Sequence, residues 1–467
     1  MERAGEAAYA LLRHRWPRAR RLAVVCGPGN NGGDGYVLAR LAIADGLSIS
    51  LLSLGDLLKQ QGDAQAARKA FEQSGGVTSP FAASALDQCD LVVDGIFGIG
   101  LEREVTEEFA KAIGAINCSG LPVLALDIPS GLDADRGVVL GEAVRASETI
   151  CFIGIKAGMV TADGPDCCGH LRFHSLNIPE SVYAQVEPCA TRIDEANLRP
   201  LFPRRRRNSH KGDNGRVLIV GGGPGMAGAA RLAGEAALHC GAGLVVVATH
   251  PDHVSTLNAS RPELIVFGVS DSRELRQLIE RADVIAAGPG FGQSDWAKNL
   301  MPAVLENKLP KVLDADALKL LAQEPTKDGN WILTPHPGEA ATLLATATAA
   351  VQADRFDHAD AIAKRYGGVC ILKGAGTIVA TEATRYVCTC GNPALATAGS
   401  GDLLTGAVAA FVGQGMSNID AAAAAVWVHG HAADAIAHSG ERGWLASEFL
   451  PYMRDAVHRL EISVDEC

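Results

Sequence analysis

The chain has 467 residues, of which 48% are hydrophobic, 20% charged and only 5% aromatic. At about 150 residues per domain this length calls for two large domains, and so aliphatic a chain is not a disordered one. The net charge of −11 argues against general binding to a nucleic-acid backbone.

The 52 glycines follow no Gly-X-Y period, which excludes collagen and points to many tight turns. The 12 cysteines include no Cys-x-x-Cys pair, so a zinc site is not expected. Scattered thiols of this kind fit a reduced, cytoplasmic setting. The start of the chain lacks a long apolar core, and no run of 18 apolar residues occurs. Neither a secretory leader nor a membrane span is therefore predicted.

In chain order, strands are predicted at 22–26, 49–54, 91–94, 122–127 and 149–153, with helices at 36–44, 64–73 and 105–117. This alternation implies a mainly parallel sheet with helices on both faces. Pro188, Pro200, Pro203 and the basic run 204–207 then break the periodicity. That basic run reads as a solvated linker. A domain boundary is placed near 198, giving domains 1–198 and 199–467. Alternation restarts with strands at 216–220, 244–248, 284–287, 312–313, 331–334 and 369–372 and a helix at 227–239. Ala-rich helices at 402–412, 419–437 and 446–459 follow.

Two segments match Gly-x-Gly-x-x-Gly after a strand, at 27–32 and 223–228. A dinucleotide fold is one reading, with Asp56 and Asp252 as candidate ribose acids. Against it, the first loop continues as Gly33-Asp34-Gly35, placing polar groups where that fingerprint needs small packing residues. Asn30, Asn31 and Asp34 put two amides and a carboxylate in one tight turn. Asp94 and Asp127 end successive strands, and Ser130 follows the second. Carboxyl ends of parallel strands converge on one crevice. Oxygen ligands there suit a hard cation. The plainer alternative is that each residue caps its own turn or helix.

The segments Cys26-Gly27-Pro28-Gly29-Asn30-Asn31-Gly32-Gly33-Asp34-Gly35, Val93-Asp94-Gly95-Ile96-Phe97-Gly98-Ile99-Gly100 and Leu126-Asp127-Ile128-Pro129-Ser130-Gly131 resemble the NAD(P)H-hydrate epimerase domain. The resemblance implies that Asn31, Asp94 and Ser130 ligate potassium. It implies that Asn30, Asn31, Gly32, Gly33, Asp34, Gly98, Ile99, Gly100, Leu101, Glu102, Arg103, Glu104 and Asp127 line a substrate site. Lys156, in Gly154-Ile155-Lys156-Ala157-Gly158, matches a family lysine and would be an acid/base partner of Asp127. Relative to that family this half is expected to be N-terminally short, lacking a helical segment before Met1.

In the second half, three loops follow strands or open helices: Thr334-Pro335-His336-Pro337-Gly338-Glu339, Lys373-Gly374-Ala375-Gly376-Thr377 and Ala398-Gly399-Ser400-Gly401-Asp402. The last offers bare N–H groups at a helix N-terminus, a cradle for phosphate. Asp402 beside it is placed to take a proton from a hydroxyl that attacks a phosphoryl group. The alternative is an acidic residue favouring its own helix dipole.

These loops are similar to those of ribokinase-like small-molecule kinases, and together with Ser209-His210-Lys211-Gly212-Asp213, Gly288-Pro289-Gly290-Phe291-Gly292 and Leu313-Asp314-Ala315-Asp316 they carry a finer likeness. The finer likeness is to the ADP-dependent NAD(P)H-hydrate dehydratase domain of that superfamily. The resemblance implies that Lys373, Gly374, Ala375, Gly376, Thr377 and Gly401 bind ADP, with Mg2+. It implies that Ala229, Gly290, His336 and Asp402 contact the hydrated nicotinamide nucleotide, with Asp402 catalytic. Asp314 and Asp316 would shape the pocket.

Together the two likenesses imply a Rossmann-like three-layer sandwich followed by a ribokinase-like one, in the order of the bifunctional NAD(P)H-hydrate repair family. The expected activities are an isomerase and a lyase. The expected partners are small molecules, with no nucleic acid and no membrane, and a homo-oligomer is expected. Two rivals remain: an ATP-dependent kinase of a vitamin-type alcohol with a structural N-terminal domain, and a non-catalytic binding protein.

Overall fold

The computed structural model describes residues 1–461. The chain divides into two compact units after Cys189. This lies before the boundary expected near 198, and the reason is packing: Thr191–Arg192 pairs with a strand of the second unit, and Ile193 and Leu198 enter its core.

In the first unit β1 (Arg21–Cys26), β2 (Ser48–Ser53), β3 (Thr78–Pro80), β4 (Leu91–Gly95), β5 (Val123–Leu126), β6 (Glu148–Phe152) and β7 (His170–His174) form one parallel sheet. Its order is β3-β2-β1-β4-β5-β6-β7. The four main helices are α1 (Glu2–Arg15), α2 (Asn30–Ala44), α3 (Gly62–Gln73) and α4 (Glu107–Cys118). Strand alternation sends Leu22, Val24 and Cys26 of β1 toward α1 and α2, while Ala23 and Val25 meet Ala112, Ile113 and Ile116 of α4. Chain direction from β1 runs outward to β2, then returns past β1 to β4. Loops after β1 and β4 therefore part at a switch point, where such sheets place their ligands.

Helix α1 was assigned no element from sequence. Its buried residues Ala4, Ala8 and Leu12 recur at four-residue spacing, a narrow stripe in a polar segment. Arg15 of α1 and Arg172 of β7 both pair with Glu148, at 2.5 Å and 3.0 Å, and Glu148 is otherwise buried.

In the second unit β8 (Thr191–Arg192), β9 (Arg216–Val220), β10 (Leu244–Thr249), β11 (Ile265–Gly268), β12 (Val284–Ala287), β13 (Lys311–Leu313), β14 (Trp331–Leu333), β15 (Val369–Leu372), β16 (Thr377–Ala380) and β17 (Arg385–Cys388) form one sheet. Its order is β11-β10-β9-β12-β13-β14-β15-β16-β17-β8. Only the β15–β16 and β16–β17 pairs are antiparallel. The switch point lies between β9 and β12. The core is aliphatic. The helix Ser400–Gly413 is buried along nearly its whole length and crosses the helix Ala227–His239.

Two helix assignments change. The segment 30–35 is not a loop but the opening of α2, because Gly29 in extended conformation already starts the helix. The last helix is split: 446–449 is a 3-10 turn and only Leu450–Leu460 is α-helical, with Pro451 in its first turn. Strands β3, β7, β8 and β17 carry no clear apolar run and were not predicted; β11 (Ile265-Val266-Phe267) and β16 (Ile378-Val379-Ala380) do carry short apolar runs and were also not predicted; most of the six lie at or near sheet edges.

Candidate functional sites

In the first unit, the C-terminal ends of β4 and β5 meet in a buried polar knot. Asp94 is fully buried. Its carboxylate accepts from the Ser130 hydroxyl at 2.6 Å, the Ser130 N–H at 2.8 Å and the Ile96 N–H at 3.2 Å. Burial pushes Asp94 up to about 6 despite those donors. The Phe97 N–H donates to the Ser130 hydroxyl at 2.8 Å, and the Asn31 amide nitrogen donates to the Phe97 carbonyl at 2.7 Å. The Asn31 amide oxygen is buried with no hydrogen-bond partner. Asn31, Asp94 and Ser130 are thus one constellation, joined through Phe97, which sequence reasoning had not included.

A second knot lies at the ends of β5 and β6. Lys156 pairs with Asp127 and donates to the Phe152 carbonyl at 3.1 Å. Asp127 also accepts from the Phe152 N–H at 3.1 Å. Asp127 and Ile153 both hold positive φ, at 62° and 66°. Such backbone in a carboxylate and a β-branched residue is strained, and strain of this kind gathers at functional sites. Asp34, on α2, is raised to about 7 by burial and, to a lesser extent, by Asp127. Gly98, at the start of the loop 98–104, packs toward the Asn31 side chain, while Ile99 in the same loop is exposed.

In the second unit, Asp314 at the end of β13 is the centre. It accepts from Lys373 at 2.9 Å, Thr334 at 2.8 Å and Thr405 at 2.9 Å. Lys373 also lies 3.8 Å from Glu339. Burial pulls the Lys373 ammonium down, but Asp314, Glu339 and Asp402 outweigh it and hold the lysine charged. A Cβ on Gly401 would stand 3.3 Å from the Lys373 ammonium, so the lysine lies under the N-terminus of the helix Ser400–Gly413. Gly399, at φ 92°, makes the left-handed turn that starts this helix. Asp402 in the first turn is pushed up to about 7 by burial and Asp314, against the pull of Lys373.

His336 is the cap of the helix Pro337–Leu344. Its Nδ1 accepts from the N–H groups of Gly338 and Glu339 at 3.0 Å and 3.3 Å. A neutral His336 thus carries its proton on Nε2, which stands 3.4 Å from Glu339. Ala229 and Gly290 stand together, since a Cβ on Gly290 would lie 3.0 Å from the Ala229 methyl. Asp316 accepts from the Gly292 N–H at 3.0 Å, which fixes the loop after β12.

Two participants were not singled out from sequence. His429, buried in the helix Asn418–Ile436, lies 3.1 Å from the Ser400 hydroxyl and is driven to about 4 by burial and Lys373, so it is neutral. Thr405 lies one turn beyond Asp402; that spacing was the one available signal.

A carboxylate and a lysine at the N-terminus of a helix, on a mostly parallel sheet, define an α/β enzyme that handles phosphorylated small molecules. Residues 217–453 match the family model described as NAD(P)H-hydrate dehydratase, and residues 1–158 that described as YjeF-related protein N-terminus. The bifunctional NAD(P)H-hydrate repair enzyme of Coxiella burnetii is 45% identical over 98% of this chain and 94% of its own length. That of Escherichia coli is 42% identical over 98% of this chain and 89% of its own. The crystal structure of ADP/ATP-dependent NAD(P)H-hydrate dehydratase from Bacillus subtilis, co-crystallised with ATP and Mg2+, is 28% identical. It has a TM-score of 0.53 and covers 59% of this chain and 100% of that one. This chain belongs to the family of bifunctional NAD(P)H-hydrate repair enzymes. A vitamin-alcohol kinase with a structural N-terminal half is not favoured, since the likeness runs through both halves. Among the described residues no helix is long and apolar enough to cross a membrane.

Proposed function

We propose that the first unit interconverts the R and S forms of hydrated NAD(P)H and the second dehydrates the S form, converting ADP to AMP and phosphate. The observation that carries the second half is Asp402, held beside Lys373 and Asp314 at a helix N-terminus. Asp402 takes the proton of the C6 hydroxyl as that oxygen attacks the terminal phosphoryl group of ADP. The C6–O bond then breaks, phosphate leaves with its electron pair, and a proton is lost from the neighbouring ring carbon. The ring double bond returns. Phosphate is a far better leaving group than hydroxide, which is the reason to consume ADP.

The loop 373–377 and Gly401 hold the nucleotide, and Ala229, Gly290 and His336 hold the hydrate. Mg2+ fits as a companion of the nucleotide, carried on its phosphates and waters. Among the described residues no group of three His, Cys, Asp or Glu side chains forms a cage for it.

In the first unit, Asp127 and Lys156 exchange protons with the substrate, within a site lined by Asn30 to Asp34 and Gly98 to Glu104. Potassium fits the β4–β5 knot. The unpartnered Asn31 oxygen, the buried Asp94 carboxylate and the Ser130 hydroxyl are hard oxygen donors with a single negative charge among them. The cation would offset the Asp94 charge beside the substrate's phosphates. The protein acts in the cytoplasm as a homo-oligomer.

The direct test is to incubate hydrated NADH with ADP and follow return of reduced-nicotinamide absorbance. No return with either ADP or ATP would overturn the dehydratase reading. Replacing potassium with tetramethylammonium is expected to slow R-to-S conversion at least about tenfold and leave dehydration of the S form unchanged. Equal epimerase rates in the two salts would remove the cation from the account. Because Asp402 must be ionised to act and is raised to about 7, kcat/KM for dehydration is expected to climb through that pH. A flat profile between roughly pH 5 and 9 would assign the proton to another group.

A further inference from the structure

Arg355 opens the helix Arg355–Tyr366, directly after its cap Asp354. A cation in the first turn opposes the helix dipole, so the helix gains nothing from it. The side chain is almost fully buried. One of its terminal nitrogens donates to the carbonyls of Leu372, Lys373 and Gly376 at 3.2 Å, 3.3 Å and 3.4 Å. The other donates to the Gln352 side chain at 2.9 Å. A single guanidinium therefore grips the end of β15 and both sides of the loop that follows.

The peptide geometry gives this grip a consequence. In a trans peptide the N–H points opposite to the carbonyl bonded to it. With the Gly376 carbonyl turned toward Arg355, the Thr377 N–H faces its β17 partner Cys388, and with the Lys373 carbonyl turned the same way, the Gly374 N–H points to the other side of the loop. The Gly374 orientation is the one in which a backbone amide serves an anion. The Thr377 hydroxyl donates to the Gly374 carbonyl at 3.0 Å and closes the loop on itself. Gly374 sits at φ 138°, and a Cβ there would lie 2.7 Å from an Arg355 terminal nitrogen. Arginine at 355 and glycine at 374 are thus matched: the guanidinium occupies the space a side chain would need.

We infer that Arg355 is a positioning residue for the nucleotide, fixing the loop 373–377 in the form that receives the phosphates of ADP without touching them. This rests on the dehydratase reading above. The assay uses the full-length protein, with ADP-dependent dehydration of the S form, R-to-S conversion in the same sample, and thermal unfolding. Arg355→Met is expected to raise the KM for ADP at least about tenfold, with kcat and the KM for the hydrate changed less than about threefold. Arg355→Lys, which lacks the second arm that holds Gln352 while the first reaches the carbonyls, should fall between. Gly374→Ala keeps the arginine and is expected to raise the KM for ADP by a similar factor. The double variant should be no worse than the poorer single one, since both disturb one geometry. If Arg355→Met does not fold, Gly374→Ala carries the test by the same readout. An ADP KM within twofold of wild type in a folded Arg355→Met or in Gly374→Ala would overturn the inference. So would a rise in the KM for the hydrate as large as that for ADP. Absence of ADP-dependent activity in the wild-type protein would instead overturn the dehydratase reading.

Discussion

Asp402→Asn is expected to lower ADP-dependent dehydration about a thousandfold and to leave R-to-S interconversion unchanged. The substitution keeps the size and polarity of the side chain and removes only its ability to take a proton. It also separates catalysis from stability. Burial raises the folded carboxyl from 3.8 to about 7, so the folded state binds that proton more tightly than the unfolded chain. Stability from this group is full below about pH 4 and is lost as pH rises toward 7. Asparagine does not titrate, so the variant should melt no lower than wild type at pH 8. Dehydration within tenfold of wild type would place the base elsewhere, and loss of both activities would show that the two sites are not independent.

Asp127→Ala should stop R-to-S conversion by on the order of a hundredfold or more, while the S form is still dehydrated at the wild-type rate. Removing the carboxylate also strands Lys156, which is largely buried beside it. An unpaired buried ammonium is strongly destabilising. Asp127→Asn, which leaves an oxygen for Lys156 and for the Phe152 N–H, is therefore the companion variant. Both should lose epimerisation, and only the alanine variant should also melt lower. Supplying pure R hydrate with ADP reads the result. Consumption at the wild-type rate in either folded variant would remove Asp127 from the reaction.

Most of the architecture was legible because strands of a doubly covered parallel sheet are short apolar runs ending in turns. The runs at 22–26, 216–220 and 369–372 announced β1, β9 and β15 within a residue. Elements at the rim were not legible. Strand β7 is largely exposed, and β8 is two residues long. Helix α1 hides an Ala4-Ala8-Leu12 stripe in a charged segment, and what seats it is the packing of that stripe in one core with Val37 and Leu38 of α2, which the local pattern does not encode. The residues 30–34 looked like a turn because Asn, Gly and Asp are turn formers. They begin a helix because α2 packs against the sheet, and tertiary packing outweighs local propensity.

By itself the sequence determined the two α/β halves, the positions along the chain of the strands that carry the site loops, and which polar residues stand at strand ends. Those are properties of hydrophobic period and turn chemistry, written locally. Tertiary structure alone decided the partners. It brought Lys373, Thr334 and Thr405 onto Asp314, left the Asn31 oxygen buried without a donor, and set Arg355 behind the loop 373–377. Each of these joins residues from separate strands and helices. No local pattern encodes such a meeting, because the sheet's crossovers, and not the spacing along the chain, bring the ends of the strands together.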